Sequence, residues 1–206
     1  MLADILALIS FFIILILLES LVEIFPSLVA CLVRWKESVN LDASVQLGRS
    51  RDIMALAMML PFCLIVSRYN LYSMTWMNGI NINGRTGIVI GLFVFYVLLR
   101  KFIEHVSRPK KANGKTYRTA CKASHTFFSI LTLILLCMAG VMSFIDANAI
   151  VIKNAMLWVS ATIYLLYIVR KYQIFVSSCS FFSGFLYLCA LEFIPTGAMV
   201  ASAIIF

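Results

Sequence analysis

Apolar residues along this chain fall in long, nearly uninterrupted blocks separated by short polar stretches. A helix needs about 20 mostly apolar residues to cross the hydrocarbon of a bilayer. Six runs meet that requirement, at approximately 5–33, 53–69, 87–106, 119–144, 149–169 and 175–206. The pattern predicts an all-α, polytopic integral membrane protein: one helical domain over residues 1–206, with six transmembrane helices. The first and last runs are longer than one crossing requires. They contain Pro26 and Pro195, and the second run contains Pro61, so each of these helices is expected to be kinked, tilted or extended along the interface. No repeat of fixed period and no domain linker interrupts the chain.

Composition agrees with this pattern. Of 206 residues, 63% are hydrophobic and 13% charged, with a mean hydropathy of +1.00. That excludes a soluble enzyme, a disordered chain and a disulfide-stapled module. The six cysteines form no CxxC pair and read as small hydrophobes. The stretch Met1 to Asp4 has no Lys or Arg, and no A-x-A-like site follows the first run, so that run is expected to be a retained helix.

The formal charge of +8 lies between the apolar runs and not in a nucleic-acid-binding patch. One set of alternate connections carries fourteen basic residues: Arg34, Lys36, Arg49 and Arg51; Arg100, Lys101, Arg108, Lys110, Lys111, Lys115, Arg118 and Lys122; Arg170 and Lys171. The opposite side has Arg68, Arg85 and Lys153. The positive-inside rule then places both termini outside, on the periplasmic side of a bacterial inner membrane. The loop after the second run, rich in Asn and Gly with Tyr72 and Trp76, is expected on the outer surface. The basic segment 100–122 is expected to meet anionic lipid through Arg108, Lys110, Lys111, Lys115 and Arg118. Gly114-Lys115-Thr116 does not complete a P-loop, because the first glycine of that motif falls on Pro109. His105 and His125 are too few and too isolated for a metal site, and no cofactor is expected.

Candidate chemistry rests on three carboxylates inside apolar runs: Glu19, Glu23 and Glu192. Each costs about 2.5–3.5 kcal/mol at mid-membrane, which makes a functional or paired role the default. Glu19 and Glu23 are four residues apart and share a helix face. A pattern recurs in Glu23-Ile-Phe-Pro26 and Glu192-Phe-Ile-Pro195. Each proline frees the carbonyl four residues before it, that of Val22 or Leu191, beside the glutamate. Such a pair of oxygens is a candidate proton or cation site. Arg68 and Arg170 are candidate counter-charges; they read first as interface anchors, with pairing of Arg68 and Glu192 as the alternative if the last helix enters late.

The stretch Phe185-Leu-Tyr-Leu-Cys-Ala-Leu-Glu192-Phe-Ile-Pro195 resembles the C-terminal Leu-Tyr-x-Cys-x-x-Glu-Ile-x-Pro signature of the bacterial membrane family called domain of unknown function 4271. The basic segment after the first run and Tyr167-Ile-Val-Arg-Lys171 also fit that family. The resemblance implies a multi-pass inner-membrane protein without an assigned activity. A second resemblance is to the undecaprenyl-pyrophosphate phosphatases. Glu19-Ser-Leu-Val-Glu23-Ile-Phe-Pro26 is similar to their glutamate motif, and Leu47-Gly48-Arg49-Ser50-Arg51 to their Ser/Arg motif. Asp52 and Ala55 stand where that motif has Ser and Thr. It implies carboxylates and a Ser/Arg pair around a lipid pyrophosphate.

These readings leave three functions open. The first is an accessory or structural subunit of a membrane complex, with a membrane-protein partner or a second copy. Small residues on the last run (Gly197, Ala198, Ala201, Ser202) would permit such packing. The second is a proton- or cation-coupled carrier built on Glu192 and Glu19/Glu23. The third is the lipid-pyrophosphate enzyme.

Overall fold

In the computed structural model, residues 2–72, 79–106, 114–144, 148–177, 181–197 and 200 are described. Every regular element among them is helical. α1 (Leu2–Ile16) and α2 (Leu18–Val33) are followed by α3 (Trp35–Ala43), α4 (Val45–Ala57) and α5 (Met59–Arg68). Three long helices come next: α6 (Ile82–Val106), α7 (Gly114–Phe144) and α8 (Ala149–Val176). α9 (Phe181–Leu188) continues through a π turn, Cys189–Phe193, and the apolar helix is described as far as Gly197.

Among the described residues, four helices are long and apolar enough to cross a membrane: Val45–Arg68, Ile82–Val106, Thr116–Met142 and Ala149–Val176. The bent pair α1–α2 makes a fifth if it is one span. This is the build of an integral membrane protein. The described part of the sixth run, Phe181–Gly197, is shorter than a span.

Several details differ from the sequence reading. The first run bends by 72° at Leu17 (φ −90°, ψ 3°), not at Pro26. Pro26 sits on the exposed side of α2 within a continuous helix, where loss of one backbone bond is tolerated. Residues 35–52, expected as a loop, are helical. Ser44 is extended and separates α3 from α4, and its hydroxyl accepts from the Leu47 N–H at 3.5 Å. Pro61 falls in the first turn of α5, just after the break at Met58, where its missing N–H is not needed. The segment 170–174, also expected as a connection, is the last part of α8.

α5 ends where the sequence placed a turn. Asn70 has φ 50°, and the Leu71 N–H reaches back to the Val66 carbonyl at 3.1 Å while Tyr69 N–H bonds Ile65 O. This is a Schellman-type stop, with Asn tolerating the left-handed position. Most of the loop beyond it, including Trp76, lies outside the described residues.

α7 is the hub of the packing. Tyr117, Ala120, Ala123 and Phe127 on one side meet Ile163, Tyr167, Ile174 and Phe175 of α8, together with Leu191. Ile130 packs on Ile24 and Leu28 of α2, and Leu135 on Ile65, Ile152 and Met156. Buried small polar residues along α7 are absorbed by the helix itself: Ser129 donates to the His125 carbonyl and Thr132 to that of Phe128, each at 2.9 Å. α5 and α6 are joined by a buried hydrogen bond between the Ser67 and Thr86 hydroxyls at 2.8 Å. At Gly184 an added Cβ would lie 3.4 Å from Phe175 Cβ and Val176 Cγ2, so the glycine sets how closely α9 lies on α8.

Candidate functional site

The last helix carries Glu192 into the interior by way of Pro195. Proline cannot donate to the carbonyl four residues back, and its ring crowds that carbonyl. The chain answers with the π turn, in which the Ile194 N–H reaches Cys189 O, one residue further than in an α-helix. The wide turn buries Leu191 and Glu192 side by side.

Glu192 is 0% exposed. Its Oε1 accepts from Arg100 Nη2 at 2.6 Å, from the Tyr167 hydroxyl at 2.5 Å and from Lys171 Nζ. Tyr167 in turn accepts from Arg100 at 2.7 Å and from Lys171 at 3.1 Å. Its hydroxyl thus uses its one proton and both lone pairs. Arg100 Nε also lies 3.4 Å from Glu104 Oε1, one turn further along α6. Two cations and two carboxylates balance in formal charge. The cluster ties α6, α8 and the C-terminal helix together at a buried point.

A second cluster joins α3, α4 and α7. Arg51, 1% exposed, places Nε and Nη2 at 3.1 and 3.0 Å from Asp52 Oδ1, and Nη2 at 3.4 Å from Asp42 Oδ1. Lys122 lies 3.4 Å from both aspartates. Thr119 donates to Asp42 Oδ2 at 3.0 Å, and His125 Nδ1 is 2.9 Å from Asp52 Oδ1. Burial pushes the Asp42 carboxyl up, but the Thr119 hydroxyl, the Lys122 ammonium and the Arg51 guanidinium outweigh it and hold its pKa below the ordinary value. Among the described residues, no group of three or more His, Cys, Asp or Glu is disposed to hold a metal ion.

The other sequence candidates are dispersed. Glu19 and Glu23 are both exposed on α2 and do not join Glu192. Arg68 is exposed at the end of α5; the alternative in which it pairs with Glu192 is not realised, because Arg100 and Lys171 reach the carboxylate from adjacent helices. Arg170 turns away from Glu192. Its Nε and Nη2 donate to the Leu32 and Val33 carbonyls at 3.0 and 2.8 Å, capping the C-terminal end of α2. Arg118 is exposed, whereas Arg108, Lys110, Lys111 and the Lys115 side chain lie outside the described residues. His125, read as isolated, belongs to the Asp52 cluster. The sequence reading overlooked Arg100, Tyr167 and Lys171 as a set. The signal available was the spacing Tyr164, Tyr167, Lys171, which lies on one helix face.

No protein-family profile, curated protein or solved structure matches the chain.

Proposed function

We propose that this chain is a multi-pass, non-catalytic subunit of a membrane-embedded complex in a bacterial inner membrane, with six spans and both termini outside. The observation that carries the reading is the outward face of α2. Glu19 and Glu23 stand one turn apart there, exposed, among exposed Leu18, Val22 and Phe25. From Glu23 to the end of α2 at Val33 is roughly 15 Å at 1.5 Å per residue. A carboxylate at that depth against lipid costs about 2.5–3.5 kcal/mol, and a partner helix bearing Arg, Lys or a hydrogen-bond donor removes the cost. A photo-crosslinking residue at Val22 in native membranes should yield one protein adduct whose contacting segment carries such a donor. The adduct should disappear in the Glu19→Gln/Glu23→Gln variant. Adducts to lipid alone, with the double variant at full abundance, would sink the reading.

The proposed orientation has its own test. A C-terminal alkaline-phosphatase fusion should be active, and one within 108–118 inactive; the reverse pattern inverts the protein.

The resemblance to the family of domain of unknown function 4271 fits this reading. Two of the three stretches that carry it, around Tyr167–Lys171 and Glu192, meet in the ion cluster. A carrier reading is favoured by one feature, the second Glu192 oxygen, which is buried and meets no hydrogen-bond donor among the described residues. As a cation site the cluster is poorly suited, because Arg100 and Lys171 already occupy the carboxylate. The pyrophosphatase reading finds less support, since Arg51 is buried against Asp42 and Asp52.

A further inference from the structure

Polar side chains also turn outward on α8. Asn154 and Trp158 stand one turn apart there and are exposed, Trp158 at 76%. With Leu157 and Ala161 they line an open hollow of about 280 Å³. Each carries an N–H that hydrocarbon cannot satisfy. The spans therefore present exposed carboxyl groups on α2, at Glu19 and Glu23, and exposed donors on α8. Both pairs are spaced by four residues, in the same order along the chain.

Depth decides whether these surfaces fit, because two copies inserted alike in one bilayer meet at equal depth. The fold carries its own reference level: Arg170 of α8 donates to the Leu32 and Val33 carbonyls at the end of α2. Glu23 is ten residues before Val33 and Trp158 twelve before Arg170, roughly 15 and 18 Å along the helix axes. Glu19 and Asn154 are fourteen and sixteen residues back, roughly 21 and 24 Å. α7 gives a second measure. Ile130 packs on Ile24 and Leu28 of α2. It lies between Phe127, whose ring is 5.5 Å from that of Tyr167, and Leu135, which packs on Ile152 and Met156. Interpolated along α8, Glu23 is level with about residue 159 and Glu19 one turn earlier. The two measures agree, and they set α2 and α8 parallel. Among the described residues, no other exposed side chain at the depth of Glu23 carries an N–H.

We propose that the partner of the α2 surface is a second copy of this chain, whose α8 sets Asn154 beside Glu19 and Trp158 beside Glu23. Parallel packing then matches donor to carboxyl twice, and exposed Val22 and Phe25 of α2 meet the hollow on α8. Interhelical hydrogen bonds and close packing are what hold helices together in lipid. The inference rests on the reading of the α2 surface proposed above and names its occupant.

Disulfide trapping in native membranes tests it, with two full-length chains that carry different epitope tags and are expressed together. Val22→Cys on one and Leu157→Cys on the other should be joined by copper-phenanthroline at least tenfold more than Val22→Cys with Phe95→Cys; all three parent side chains are exposed, and Phe95 lies on α6. The unsubstituted chain gives the background from its own cysteines. If the first pair fails to accumulate, Phe25→Cys with Ala161→Cys supplies the same reading. Adding Asn154→Leu and Trp158→Phe to the Leu157→Cys chain keeps apolar bulk and removes both N–H groups. It should lower the yield by about threefold or more, the change expected from one interhelical hydrogen bond of average strength. A yield no higher than the Phe95 control, or one that loss of the donors leaves unchanged, overturns the proposal. A photo-adduct of Val22 to a different protein would then leave the α2 reading standing, whereas adducts to lipid alone would remove both.

Discussion

Glu192→Gln should destabilise the folded chain by about 3–5 kcal/mol, the range found when one partner of a buried ion pair is removed. The substitution keeps size and hydrogen-bonding capacity, so shape alone predicts tolerance. Charge predicts otherwise. Arg100 and Lys171 both lean on Oε1, and a neutral amide leaves the buried Lys171 without its carboxylate and Arg100 facing only the more exposed Glu104. Lys171→Met should cost much less, because Arg100 and Tyr167 still satisfy the carboxylate. Combining the two changes should recover part of the loss, a non-additivity expected of groups in direct contact. Reversible unfolding in mixed micelles would measure all three. A Gln variant as stable as the parent, with purely additive behaviour in the double variant, would show that the cluster does not hold the helices together.

Arg51→Met is expected to cost about 1–3 kcal/mol, the range for losing hydrogen bonds to charged groups, because Asp42 and Asp52 stay partly exposed and keep other donors. It leaves Asp42 and Asp52 together at the junction of α3, α4 and α7, with Lys122 3.4 Å from each and His125 beside Asp52 alone. Arg51→Lys should not rescue. The guanidinium sets Nε and Nη2 together on Asp52 Oδ1 while Nη2 also reaches Asp42, a fixed fork that a single lysine nitrogen does not reproduce. An acid titration supplies a second readout through Asp42, whose pKa is depressed in the folded chain. A depressed carboxyl contributes stability that is complete above its unfolded value, about 3.9, and is lost as pH falls through the lower folded value. In Arg51→Met the acid-dependent loss through Asp42 should be smaller and should be complete at higher pH, because one of the charges depressing the folded Asp42 is gone. An unchanged acid profile would show that Arg51 does not set the charge state of this cluster.

The sequence by itself determined the solvent of this protein and the material of its fold. Long apolar blocks with few charges have one workable solution in hydrocarbon, a helix that satisfies its own backbone. That much was legible for the runs around α4–α5, α6, α7 and α8, and the second run's expected end near 69 lies at the end of α5. Helix ends were less legible because residues 35–52 and 170–174, polar enough to read as connections, are held in helices by tertiary contacts such as Arg51 with Asp42 and Lys171 with Glu192. Glu192 was singled out because an acid in an apolar run is costly wherever it sits. Its partners were not found, since pairing depends on which helices lie side by side and at what depth. Arg100, Lys122, Lys171 and Arg51 all counted as basic residues at the ends of apolar runs, and that sum is blind to whether a charge faces headgroups or a buried carboxylate. Only the crossing of α6, α8 and the π-turned last helix decided that one carboxylate oxygen would meet three donors while the other met none.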